Sequence, residues 1–211
     1  MTGSGAAGSG TRGSGTGGSG TGVDEVANTI LGAAEMCFER FGITKTTMED
    51  VARAAKMSRA TVYRHFSDRE SLIMASVTRR ARMNIEPARS YIANCRTLED
   101  KIVEGIGHNV RRGRRDPMVH LLVSPEEMTL STQLLWRSGT AIDLTYELWA
   151  PILTEAQMLG EMRKDVDVRL LCEWIAEIEI AHISQTDGSD DALKRLQEKV
   201  RRFLVPSLVP Q

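Results

Sequence analysis

With 211 residues, 41% of them hydrophobic, the chain is long enough to bury one or two cores. Its 27 Lys and Arg balance 28 Asp and Glu to a net charge of −1. This excludes a protein that holds nucleic acid or an anionic surface by bulk charge, so any polyanion site must be local.

Residues 1–22 are nearly all Gly, Ser, Thr and Ala. They cannot bury enough surface to offset backbone entropy, so a disordered tail is expected. Arg12 is its only charge, which gives little support to an arm that tracks a DNA groove. From residue 23 the pattern turns helical. Ala27, Ile30, Leu31, Ala34, Phe38 and Phe41 recur at three- and four-residue steps, and Gly42 supplies the stop. This helix carries no chemistry and reads as scaffold.

Residues 46–66 read as two short helices joined by a tight turn. Thr46 is the expected N-cap of the first, with Glu49 closing a capping box, and Val51, Ala52 and Ala55 form its apolar face. Ser58 caps the second, whose Val62 and Phe66 repeat four residues apart. The other face carries Arg59, Thr61, Tyr63, Arg64 and His65. A short helix with an apolar inner face and basic and hydroxyl groups outside suits the major groove.

Next, Ser67-Asp68-Arg69-Glu70 repeats the capping-box pattern before a longer helix through Leu72, Ile73, Ala75 and Val77 to about residue 85, where Pro87 marks a break. Residues 97–115 form a helix with Leu98, Ile102, Ile106 and Val110 on one side and an Arg-rich end. For that end, Arg111 to Arg115, the attraction of cations to a helix C-terminus explains more than a second DNA site would. Asp116-Pro117 opens a short apolar helix to about residue 123, and Ser124-Pro125-Glu126-Glu127 starts another that reaches about residue 159 before Gly160. Asp167 opens a helix with Leu170, Leu171, Trp174, Ile175 and Ile178. A turn at residues 187–189 precedes the last, marked by Leu193, Leu196, Val200 and Phe203. There is no strand-like alternation, so the fold expected is all-α.

Charge divides unevenly along this chain. Residues 56–82 hold seven bases (Lys56, Arg59, Arg64, Arg69, Arg79, Arg80, Arg82) against two acids (Asp68, Glu70), whereas residues 125–181 hold eleven acids against four bases. One end suits a polyanion and the other does not. The three cysteines (Cys37, Cys95, Cys172) form no Cys-x-x-Cys pair and read as free thiols in a reducing compartment. No apolar run reaches the length of a membrane span, and the first residues lack the layout of a secretion signal, so a cytoplasmic protein without membrane contact is expected.

Residues 23–82 resemble the DNA-binding domain of the TetR family of transcriptional regulators. The resemblance rests on Phe38, Phe41-Gly42, Thr46-Thr47, Val51-Ala52, Ala55, the run Ser58-Arg59-Ala60-Thr61-Val62-Tyr63-Arg64-His65-Phe66, and Arg69-Glu70-Ser71-Leu72. It implies a three-helix DNA-binding domain over residues 23–84, followed by a helical ligand-binding and dimerisation domain over 85–211. Thr46, Thr47 and Ser58 would then touch phosphates, Arg59 and Thr61 would face base edges, and Tyr63, Arg64 and His65 would contact backbone and nearby bases. Arg can grip guanine with two bonds, so Arg59 or Arg64 is the best reader of sequence; Ala60 could meet a thymine methyl, and Arg69 could add a phosphate contact. The family usually has glycine in the turn where Lys56 stands. If a positive φ is needed there, lysine costs roughly 1 kcal/mol more, in exchange for a charge beside the DNA or for nothing.

In the second domain the resemblance implies a pocket for a small, largely apolar effector. Its candidate lining is Met118, His120, Trp136, Arg137, Tyr146, Glu147, Trp149 and Trp174, although aromatic and methionine content of this kind also serves plain core packing. The last two helices would pair with their copies in a homodimer, through Leu171, Ile175, Ile178, His182, Leu193, Leu196, Val200 and Phe203. Glu104 and His108 lie one turn apart, but no third ligand has metal spacing. No catalytic order of Ser, His and Asp and no phosphate loop occurs, so no enzyme, metal or cofactor is expected. The function implied is a repressor released from a palindromic operator by its ligand. The alternatives are an activator, or a binding module of the same fold whose DNA reading has decayed.

Overall fold

A computed structural model describes residues 20–122, 139–184 and 189–210. The helices are α1 (Gly20–Phe41), α2 (Met48–Ala54), α3 (Arg59–His65), α4 (Arg69–Ala93), α5 (Leu98–Arg115), α6 (Pro117–Leu122), α7 (Thr140–Leu159), α8 (Val168–Ile183), α9 (Asp190–Lys199) and α10 (Val205–Leu208). A single π-turn, Val200–Leu204, joins the last two. Among the described residues there is no strand, and no helix is long and apolar enough to cross a membrane.

Two apolar cores organise the described residues. The first gathers Ile30, Ala34 and Phe38 of α1, Val51 of α2, Val62 of α3 and Leu72, Ile73 and Val77 of α4, with Met118 and Leu122 of α6 and Ala141 of α7 closing it. The second joins Ile85, Ala88 and Ile92 of α4 to Ile102, Ile106 and Val110 of α5, Trp149 and Leu153 of α7, Cys172 and Ile175 of α8, and Leu193, Leu196 and Val200 further on. Helix α4 thus gives its first half to one core and its second half to the other. The boundary expected at residues 84 and 85 falls inside a continuous helix.

Pro87 does not break α4. A proline removes one amide donor and leaves the carbonyl four residues back without its partner. Here both Pro87 and Met83 are exposed, so water can satisfy that carbonyl, while Ile85, Ala88 and Ile92 hold the helix down on its other side. Helix α1 starts at Gly20, three residues earlier than the pattern suggested, and the rest of the expected tail lies outside the described residues. Phe41 is not core: it is exposed beneath the Arg40 guanidinium. The helix start at residues 124–127 and most of the 187–189 turn also lie outside the described residues. Gly42 and Gly160 end α1 and α7 with φ of 81° and 75°, the left-handed conformation expected of a helix stop.

Gly105 lets α5 and α7 meet. A Cβ there would lie 2.4 Å from the Trp149 ring, so a residue without one is required for the indole to be fully buried against the α5 backbone.

Candidate nucleic-acid interface and effector cavity

The turn before α2 places the cap one residue later than the pattern suggested. Thr47 is the N-cap, its hydroxyl accepting from the Asp50 amide, while the Asp50 carboxylate accepts from the Thr47 amide. The Thr47 hydroxyl, which donates to the Asp50 carboxylate at 2.6 Å, and then the Thr47 amide hold that carboxyl below its ordinary range. Thr46 is buried instead, and its hydroxyl donates to the Gly42 carbonyl at 2.8 Å. Its side chain fastens the turn and does not face outward as the phosphate contact expected of it.

Helix α3 begins at Ser58, whose oxygen accepts from the Thr61 amide at 3.1 Å and lies 2.9 Å from the Thr61 hydroxyl. Val62 is fully buried and Phe66 nearly so, which fixes the rotation of the helix. Arg59, Ala60, Tyr63 and Arg64 are therefore exposed, and Thr61 and His65 are half-buried. Arg59 lies 3.6 Å from Glu49, both side chains about three-fifths exposed; such a pair contributes at most ~1 kcal/mol and leaves the guanidinium available to an incoming base.

Lys56 does adopt the left-handed conformation, φ 55°, and it is the only non-glycine among the described residues that does. Its side chain is exposed and relieves nothing. Lys56→Gly should therefore raise stability by about 0.5–1 kcal/mol, measured by urea denaturation. No gain would show that the turn is unstrained.

Arg69 turns inward. Its Nε donates to the Thr46 carbonyl at 2.9 Å and its Nη2 to the Ile43 carbonyl, so the phosphate contact expected of it gives way to bracing the α1–α2 turn. The box at the start of α4 is likewise shifted by one residue: Asp68 is the cap and Ser71 its partner.

Behind this surface runs a network that sequence reasoning missed. Glu35 of α1 is buried, and its Oε1 accepts from Arg79 Nη2 at 2.8 Å and Nε at 3.1 Å. Its Oε2 lies 3.5 Å from Arg80, whose other nitrogen lies 3.2 Å from Asp116. Asp116 Oδ1 also accepts from the Met118 and Val119 amides at the start of α6. One chain of charges thus ties α1 and α4 to the α5–α6 corner. The signal was present in the sequence, since Glu35 stands four residues after Leu31 and three before Phe38, on a stripe otherwise apolar.

The residues expected to line an effector pocket do not converge. Met118 is buried in the first core and Trp149 in the second. Tyr146 lies on the surface under Arg169, Glu147 pairs with Arg82 at 3.1 Å, and Trp174 is 41% exposed. Trp136, Arg137 and the His120 side chain lie outside the described residues. A cavity of about 160 Å³ occurs instead between α4, α5, α7 and α8, walled by Ile85, Ala88, Leu144, Leu148 and Ile183 with Asn84, Asn109, Arg112 and Glu179 as polar groups. Asn109 Nδ2 donates to Glu179 at 2.8 Å. The Trp149 indole N–H approaches the same carboxyl without a bonded geometry. Burial pushes the Glu179 carboxyl up to about 8, against the lowering effect of those neighbours.

The expected dimer residues are also largely internal. Leu171, Ile175, Leu193, Leu196 and Val200 are buried within the chain, while Ile178 and His182 are half-buried. Only Phe203, 75% exposed, points away. Leu170 and Trp174, 64% and 41% exposed, form the outward apolar stripe of α8.

Residues 30–75 match the family model described as bacterial regulatory proteins, tetR family. An uncharacterised HTH-type transcriptional regulator of Mycobacterium tuberculosis is 25% identical over 186 residues, 87% of this chain and 86% of that protein. Among solved structures, the TetR family repressor AlkX from Dietzia sp., implicated in biodegradation of n-alkanes, is 27% identical. It matches with a TM-score of 0.65 over 87% of this chain and 97% of its own. A TetR-family regulator from Pectobacterium atrosepticum shares the fold, with a TM-score of 0.67 at 17% identity over 91% of this chain and 98% of its own. With the capped helix α3, its buried inner face and the helical body behind it, residues 30–75 match the DNA-binding part of the TetR family, and the chain is similar over most of its length to transcriptional regulators of that family.

Proposed function

We propose that the protein is a repressor that binds a palindromic operator as a homodimer and is released by a small effector. The observation that carries this is the rotation of α3: burial of Val62 and Phe66 leaves Arg59, Tyr63 and Arg64 exposed together on a capped helix. A disused face would have no need of those polar side chains. Ser58, Thr61 and the Thr47 end of α2 lie where backbone phosphates would be met, and Lys56 adds a charge beside them.

Two copies would associate through the outward stripe of Leu170 and Trp174 with Phe203, in place of the buried residues first expected. The cavity between α4 and α8 would take the effector. The Glu35–Arg80–Asp116 chain supports communication, because it joins the helix that braces α3 to the corner beside that cavity. A small change at the corner would alter the spacing of the two reading helices, and contacts on one half-site would be lost.

The test is an electrophoretic shift with DNA from the protein's own upstream region, with light scattering of the free protein beside it. A salt-sensitive, sequence-specific shift by a dimer is expected. No specific shift with any such duplex would sink the proposal. Arg64→Ala should weaken specific binding about tenfold to a hundredfold, by loss of a base or phosphate contact, with the melting temperature unchanged. A large fall in melting temperature would instead make Arg64 a structural residue.

A further inference from the structure

A second cleft, of about 420 Å³, lies beside the first cavity, between Arg80 and Asn84 of α4 and His108, Arg111, Arg112 and Arg115 of α5, with Asp116 and Pro117 also lining it. Arg80 is committed to Glu35 and Asp116. Asp116 in turn is held by Arg80 and by the amides that open α6. None of the ion pairs among the described residues involves Arg111, Arg112 or Arg115, although Asp190 lines a neighbouring pocket with Arg111 and Arg115. The pull of a helix C-terminus on cations accounts for the last turn, but it does not explain His108. Its ring stacks on Tyr91, 4.2 Å between centroids, and its buried Nε2 has no hydrogen-bond partner. A ring nitrogen without a partner, beside arginines that form no ion pair, can donate to an acceptor when it carries the ring proton.

This cleft shares Asn84 and Arg112 with the cavity between α4 and α8. Arg112 Nε donates to Asn84 Oδ1 at 2.6 Å, and this pair forms the common wall. On one side the surroundings are apolar, and on the other they are cationic. We infer that the effector is a short amphiphilic anion, its apolar end in the cavity and its carboxylate or phosphate held by Arg112, Arg111 and Arg115 with His108. The cavity has room for roughly five waters at ~30 Å³ each, so a short chain or a single ring fits its apolar end. Glu179, the acid on the cavity wall, accepts from Asn109. The inference rests on the reading of the α4–α8 cavity as an effector site, and names the chemistry that site selects.

Calorimetric titration of the full chain tests it, with hexanoate, hexyl phosphate, hexanol, hexylamine, acetate and inorganic phosphate as probes. One or both six-carbon anions should bind at least tenfold more tightly than the alcohol, and the amine more weakly still. Which anion wins separates a carboxylate effector from a phosphate one. From acetate to hexanoate, affinity should climb by up to fourfold for each methylene that enters the cavity. Arg111→Gln combined with Arg115→Gln should lower the affinity for the preferred anion about tenfold without changing the melting temperature.

Equal binding of alcohol or amine overturns the inference. So do affinities that ignore chain length, an unaffected double variant, or no anion binding at millimolar concentration. The operator shift on the same preparation separates the two readings. If an operator complex forms and is released by a neutral or cationic compound, the regulator stands and the anion site falls. If no operator is bound, the regulator falls and the titration still decides the site.

Discussion

Glu35→Ala should cost the protein about 2–4 kcal/mol and loosen α1 from α4. The carboxylate is buried, and the two guanidiniums it serves are only about a quarter exposed. Removing one partner of a buried ion pair leaves the others without compensation, at a cost of roughly 3–5 kcal/mol; partial solvent access to Arg79 and Arg80 reduces that here. Urea denaturation measures the loss. Glu35→Gln keeps an acceptor for Arg79 and should cost less, and the pair Glu35→Ala and Arg79→Ala should couple by about 1–3 kcal/mol in a double-mutant cycle. A loss below ~1 kcal/mol would mean that solvent screens the network.

This network carries further weight because Asp116, at its far end, also caps α6, whose Met118 and Leu122 complete the first core. Loosening Glu35 frees Arg80 to pull on Asp116 alone. The expected companion result is a weaker effect of any effector on operator affinity in Glu35→Ala than in the unaltered protein, with the effector's own affinity little changed.

What the sequence disclosed, and what it hid, follows from how each feature is encoded. The all-α class, the reading helix and most helix starts are local patterns of three or four residues, and Thr97, Asp167, Ser58 and Gly160 stand where those patterns put them. The caps of α2 and α4 moved by one residue because Thr46-Thr47 and Ser67-Asp68 each offer two candidates, and burial of Thr46 decided between them. Helix α8 carries Arg169, Glu173, Glu177 and Glu179 besides two apolar stripes. Leu171 and Ile175 on one side and Leu170 and Trp174 on the other give equal periodicity, so only tertiary packing tells core from outward stripe. The cavity between α4 and α8 was hidden for a related reason. Large aromatic residues such as Trp149 fill space, whereas the walls of a cavity are residues whose neighbours stop short, and spacing along a chain does not report that.

Glu179→Gln should make the protein more stable above about pH 8 by about 2 kcal/mol and leave it nearly unchanged near pH 5. Burial raises the Glu179 carboxyl from 4.5 to about 8, with the Asn109 bond opposing that rise. Between those values the native state holds a proton that the unfolded chain has released. Stability therefore falls as pH climbs through that window and levels off above it, where both states are ionised. The full shift corresponds to at most ~5 kcal/mol; the side chain lines a cavity into which water can relax the ionised form, and the smaller figure follows. Glutamine keeps an acceptor for Asn109 and cannot ionise, so its urea midpoint should lack the slope. Arg112 shares the cavity wall, and the buried Cys172 thiol, itself pushed up to about 12 by burial and then by Glu179, stays neutral throughout. Parallel pH profiles for the two proteins would mean that Glu179 is already ionised at neutral pH. The cavity would then carry a fixed negative charge at its apolar end, which would disfavour an anion there.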